Sequence, residues 1–197
     1  MPSTRTNRKN NLLATIPRLY KSFSVKFDFN PSQFQGGHTS IIRLTTTGGN
    51  CCAYGDRIPA VWFNPSSSGA TKNSLHICSA VSGNGNYCYN SGAVARGQWI
   101  TIEIDQVAVT VGQNYRYSVK INGAVKKTLI NTKPREWSNV KVYGGGNFYA
   151  AATGHMRNLV ITTGVQGKPF VQSIVKIVES NFHCIKVILA SLFFSIV

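Results

Sequence analysis

Acid is scarce in this sequence: six Asp and Glu stand against 21 Lys and Arg, for a formal net charge of +15. Asp28, Asp56 and Asp105 have no acid directly beside them. A rim of aspartates able to hold a hard cation such as calcium is therefore not expected, and neither is any other metal or cofactor. Charge of both signs is sparse, at 14% of residues, while glycine is plentiful at 18 residues, a balance that excludes long amphipathic helices and coiled coils. No apolar run reaches the roughly 20 residues that cross a bilayer, since 187–197 (VILASLFFSIV) is too short, so no integral membrane span is expected. No cleavable signal peptide is expected at 1–16, because 1–11 is polar and basic and LLATI is too brief for a signal core. If the protein is secreted, this N-terminus is incomplete. The five cysteines lack the two-residue spacing of a zinc knuckle, no G-x-S-x-G elbow is present, and Gly144, Gly145 and Gly146 are followed by no Lys-Ser/Thr pair.

What is present is short alternation. In SVKFDF, Val25, Phe27 and Phe29 alternate with Ser24, Lys26 and Asp28; in WITIEID, Ile100, Ile102 and Ile104 lie opposite Trp99, Thr101, Glu103 and Asp105. Tyr117, Val119 and Ile121 alternate likewise before Asn122-Gly123, a dipeptide that favours a two-residue type I′ hairpin turn. Strands are predicted at 24–29, 39–46, 58–63, 74–81, 99–105, 115–121, 124–130, 138–143 and 155–162, with connections at 48–55, 64–73, 82–92 and 144–154. This punctuation predicts an all-β, antiparallel two-sheet jelly-roll sandwich over 24–164. Residues 1–23 read as a polar basic leader and lead-in to the first strand. Residues 165–197 read as an apolar tail: a short helix, a weak membrane contact or, the favoured reading, translated non-coding sequence.

Four segments in order carry a resemblance: Gln98-Trp99-Ile100-Thr101-Ile102, Tyr117-Ser118-Val119-Lys120-Ile121-Asn122-Gly123, Val140-Lys141-Val142-Tyr143-Gly144-Gly145 and Gly154-His155-Met156-Arg157-Asn158-Leu159-Val160-Ile161. The series resembles laminin-G-like domains of the concanavalin-A-like lectin superfamily, and covers roughly the second half of the chain. His155 stands where many such domains have a cysteine, so their closing disulfide is not implied. Jelly-roll relatives also include glycoside hydrolases, and Glu103-Ile104-Asp105 is similar to the opening of their E-I-D-x-x-E signature. Gln106, Val107 and Ala108 follow without the second glutamate, so the two carboxyls of a retaining mechanism are missing from that strand. The expectation is a chain that catalyses nothing.

Aromatic rings in polar, glycine-rich connections mark the candidate ligand site: Tyr54 with Asp56 and Arg57, Tyr87 with Asn84 and Asn86, and Phe148 and Tyr149 with Asn147. Rings take the apolar face of a sugar while Asp, Asn and Arg take its hydroxyls. Cys78 and Cys88 flank a turn and form the best disulfide candidate, with Cys51 or Cys52 as other partners for either. Two functions fit. One is an extracellular or cell-surface lectin-like module that binds carbohydrate, with anionic or sulfated glycans favoured by the basic balance. The other is a structural or adhesive module that contacts another extracellular protein and belongs to a longer multidomain chain. The charge also permits salt-sensitive, non-specific polyanion binding, but no motif points to a specific nucleic acid.

Overall fold

Residues 5–6, 8–49, 51–109, 114–164, 173–178 and 186–189 are described by a computed structural model. They form fifteen strands: β1 (Arg5–Thr6), β2 (Asn11–Leu19), β3 (Ser22–Pro31), β4 (Thr39–Thr45), β5 (Ala60–Phe63), β6 (Ser74–Val81), β7 (Asn84–Ala93), β8 (Ile100–Ala108), β9 (Tyr115–Ile121), β10 (Ala124–Asn131), β11 (Trp137–Gly144), β12 (Ala150–Ala151), β13 (Gly154–Gly164), β14 (Ser173–Val178) and β15 (Lys186–Leu189). The first sheet runs β10-β9-β8-β3-β13-β14-β15, with β1 also on β13; the second runs β2-β11-β4-β5-β6-β7, with β12 on β4. The β12–β4 contact is parallel and the other pairs are antiparallel.

The alternation seen in the sequence becomes the wall of the core. Val25, Phe27 and Phe29 of β3 lie opposite Ile104, Ile102 and Ile100 of β8, and all six are buried. From the second sheet come Ile16, Leu44, Val61, Phe63, Leu75, Ile77, Val140 and Val142. Phe29 meets Phe63 across the interior with ring centroids 5.8 Å apart, and Phe34 packs edge-on against Phe63 at 5.1 Å. Such tilted pairs are the favoured geometry for aromatic quadrupoles. Tyr117 is fully buried and its hydroxyl lies 2.8 Å from Ser79 Oγ; burial pushes the phenol well above its ordinary range and keeps it protonated. The jelly-roll sandwich expected from the sequence is therefore the fold of the protein.

Three expected boundaries need correction. Asn11–Leu19, read as leader, is a strand paired with β11, and its Leu13, Ala14, Ile16 and Leu19 are buried. Pro17 disguises it, but β2 is the sheet edge, where a missing N–H costs no ladder bond. Asn84–Ala93, read as part of a loop, is strand β7, with only Ser82 and Gly83 turning the chain at φ 53° and 85°. That geometry matches Asn122-Gly123, at 51° and 80°. Within the tail, 173–178 and 186–189 extend the first sheet as strands where a helix was one reading. Among the described residues no helix is long and apolar enough to cross a membrane.

Candidate ligand-binding face

Residues of β5 and β6 that alternate with the core residues point to the far side of the second sheet. There Ala60, Trp62 and Cys78 form a separate buried cluster, with Cys88 and Tyr149 packed against it. Trp62 is only 3% exposed despite lying outside the main core, because charged and aromatic groups cover it. The Arg57 guanidinium carbon lies 4.7 Å from the Trp62 ring centroid, His76 at 5.9 Å, and Tyr149 stands edge-on at 6.1 Å. His38 completes the group, 5.8 Å from the His76 ring and 5.3 Å from Tyr149. Tyr149, His38 and His76 are each part-exposed, so a flat apolar floor is rimmed by rings and polar groups that solvent reaches.

Two connections hold this rim. The segment after β11 folds back over β4: Gly145 N–H donates to Ile41 C=O at 2.9 Å, Gly146 N–H to Ser40 Oγ at 2.7 Å and Ala152 N–H to Ser40 C=O at 2.8 Å. Gly145 has φ 79°, and a Cβ there would lie 2.3 Å from Arg8 C=O, so no other residue fits without displacing backbone. The second connection, between β4 and β5, is organised by Asp56. Its carboxylate accepts the Thr47 hydroxyl and the backbone N–H groups of Cys52 and Ala53, the latter two at 3.0 and 2.9 Å. Burial pushes the Asp56 carboxyl upward, but these bonds and the nearby Arg43 charge outweigh it and hold the group below the usual carboxylate range. The β6–β7 hairpin seats directly on this loop: a Cβ at Gly85 would meet Cys52 C=O at 2.3 Å.

The nine residues singled out in the sequence fall into separate places. Arg57, Asn86, Asn147, Phe148 and Tyr149 come together on this face: Arg57 Nη1 donates to Asn86 Oδ1, and Asn147 Oδ1 accepts from Arg43 Nη1 at 2.5 Å. Asp56 is a buried loop organiser, and Asn84 accepts the Asn86 N–H at 2.8 Å to shape the hairpin. Tyr87 is turned inward against Tyr117, with ring centroids 6.4 Å apart. Tyr54 lies in another patch, stacked between Trp137 (5.4 Å) and Arg135 (4.8 Å), its hydroxyl donating to Lys133 C=O at 2.8 Å. Trp62, His38, His76, Arg43 and Asn90 were missed. The available signal was the period-two pattern of AVWF and SLHICSA, which places Trp62, His76 and Cys78 on the side opposite Phe63 and Ile77.

Cys78 and Cys88 are direct cross-strand partners with Cα atoms 4.1 Å apart, and their sulfurs are bonded. That bond leaves neither Cys51 nor Cys52 as a partner for Cys78 or Cys88; Cys184 lies outside the described residues. The donor atoms of His76, Cys78 and Cys88 fall within 4.8 Å of one another, a set suited to a soft metal, but the disulfide leaves His76 alone as a ligand. His76 Nδ1 is 2.6 Å from Asn90 Oδ1, and that oxygen also accepts from Asn64 Nδ2 at 3.0 Å. Burial lowers the His76 imidazole below its ordinary value of 6.5, assisted by His38 and Arg57 and opposed by Asn90. The unfolded chain therefore takes up this proton first. Stability from neutral His76 is intact above pH 6.5 and falls as pH drops below it. Urea melts across pH 5 to 7.5 should show this slope, and His76→Gln should flatten it; an unchanged slope in the variant would assign the effect elsewhere.

On the opposite side of the molecule, a shallow groove of about 570 Å³ on the first sheet is lined by Ser24, Glu103, Asp105, Arg116 and Lys120 among others. Lys120 Nζ binds Glu103 and Asp105 at 2.7 Å each, so the two carboxylates share one cation.

No protein-family model and no curated protein matches this sequence. Solved structures do match in fold. A native heptameric SAP-like pentraxin from Limulus polyphemus superimposes with a TM-score of 0.55 at 14% identity, covering 84% of this chain and 78% of that one. The receptor binding domain of botulinum neurotoxin type G matches with 0.47 and 12% identity, over 81% of this chain and 42% of that one. An alginate lyase from Alteromonas sp. 272 matches with 0.46 and 10% identity, over 81% and 93%. The pentraxin match bears on fold alone and agrees with the two-sheet jelly-roll sandwich. One expectation is corrected: alginate lyases are among the solved structures that match, so the reading that the chain catalyses nothing, drawn from a missing second glutamate and missing nucleophile and phosphate-loop patterns, does not stand.

Proposed function

We propose that the protein is an extracellular glycan-recognition module whose ligand lies on the outer face of the second sheet, in keeping with the laminin-G-like order of its strand motifs. The observation that carries this reading is the buried Trp62 floor with part-exposed Tyr149, His38 and His76 around it and Asn86, Asn90 and Asn147 at its margin. Rings offer a flat apolar surface for the C–H face of a pyranose. Amides with both donor and acceptor capacity suit its hydroxyls. The Cys78–Cys88 bond fits an oxidising compartment, and the net charge of +15 accelerates encounter with polyanionic surfaces at low salt.

A glycan array probed at two salt concentrations tests the reading. Binding that persists at the higher salt is expected, with Tyr149→Ala weakening it about tenfold, equivalent to ~1.4 kcal/mol. Tyr54→Ala, in its separate patch against Trp137, should leave affinity within about twofold. Absence of binding above background, or indifference to Tyr149→Ala, would remove the proposal.

A further inference from the structure

Arg43 sits in the middle of β4 with its side chain on this same face, and it is 2% exposed. Its Nε donates to the Asp56 backbone C=O at 3.0 Å and its Nη1 to Asn147 Oδ1 at 2.5 Å, while the guanidinium carbon lies 5.6 Å from the Phe148 ring centroid. Nη2 is buried and has no hydrogen-bond partner. Each group in contact with this cation is thus neutral. The nearest carboxylate, Asp56, directs its two oxygens to Thr47 and to the N–H groups of Cys52 and Ala53 instead. Burial disfavours the Arg43 charge, the Asp56 carboxylate favours it from beyond hydrogen-bond reach, and a second guanidinium, Arg57, disfavours it again. A buried cation with a donor left over and a like charge beside it is costly in an empty site and gains from an incoming anion.

We propose that Arg43 is the seat for the anionic group, a carboxylate or sulfate, of an acidic sugar bound on this face; the inference rests on the glycan reading above. Phe148, the ring nearest this guanidinium among the contacts described, is 44% exposed and belongs to the connection that also carries Asn147 and Tyr149. In the proposed bound state Phe148 turns outward to admit the anion to the donor, and the sugar ring rests on Tyr149 and His38, which are in contact with each other. Net charge does not explain such a seat, because scattered lysines attract any polyanion regardless of where its charges lie.

The test is an array in which each acidic glycan stands beside its carboxyl-reduced or desulfated counterpart, at a salt concentration that suppresses long-range attraction. The intact protein should prefer the acidic member at least tenfold. Arg43→Gln should bring that ratio to within twofold, whereas Arg116→Gln, the same loss of charge on an exposed residue of the first sheet, should leave it. A preference that survives Arg43→Gln, or falls equally in both variants, overturns the seat while leaving the glycan reading in place. A second measurement needs no variant: the guanidinium ¹⁵N signals of Arg43 should shift saturably with glucuronate or inorganic sulfate and not with glucose. If no arrayed glycan binds yet these signals respond, the glycan reading fails and the anion seat stands. If the signals are silent toward both anions, the seat is wrong.

Discussion

Phe29→Ala will lower the free energy of unfolding by about 4 kcal/mol, in the range usual for removing a buried phenylalanine. Phe29 has no solvent-exposed surface and is packed from three directions. It lies opposite Ile100 within its own sheet and touches Phe63 from the other sheet at 5.8 Å. Its third neighbour is the backbone at Gly154, where even a Cβ would stand 2.9 Å from the ring. The site cannot collapse around the deletion without moving two sheets, so the cavity persists and the cost sits above that of simple transfer to water. Because Phe63 loses the same contact, Phe63→Ala should be similarly destabilising, and the double variant should cost less than the two single losses added. Val125→Ala, at an exposed position of β10, should stay within about 0.5 kcal/mol. Denaturant midpoints with an unchanged slope would measure all four; additivity of the two phenylalanine losses would show that the rings do not act as one inter-sheet contact.

The same physics explains how much could be read beforehand. Strands that face the core on one side and water on the other announce themselves by alternation, which is why β3, β8 and β9 were legible residue by residue. β2 hid behind Pro17, and β7 behind asparagine and glycine, because their pairing comes from neighbours distant in sequence rather than from their own propensity. The binding face was legible only in part for a related reason. Arg57, Asn86 and Tyr149 lie in segments that look like loops and attracted attention as such. Trp62, His76 and Arg43 occupy strand positions on the outer side, and nothing in a single sequence says that the back of a sheet is covered by a returning connection. That covering depends on Gly145 and Gly146 meeting Ile41 and Ser40, over 100 residues apart in the chain.

Reducing the Cys78–Cys88 bond will cost about 3 kcal/mol of stability, the loop-closure entropy returned to the unfolded chain for a bridge ten residues apart. β6 and β7 remain joined by their ladder, with Ile77 opposite Tyr89 and Ser79 opposite Tyr87, so the folded arrangement of His76, Asn86 and Asn90 does not require the bond. The double replacement Cys78→Ala/Cys88→Ala should accordingly shift the urea midpoint strongly while changing glycan affinity less than about threefold at a temperature where the chain stays folded. Tyr149→Ala should do the reverse, because the ring is part-exposed and packs at the margin of the small outer cluster, away from the main core between the sheets. The two variants therefore separate what holds the hairpin in the sheet from what the face presents to a ligand. A Cys78→Ala/Cys88→Ala protein that melts like the parent would mean that the bridge constrains nothing the ladder had not already fixed. One that keeps its melting behaviour but loses binding would place the two sulfurs in the ligand site itself.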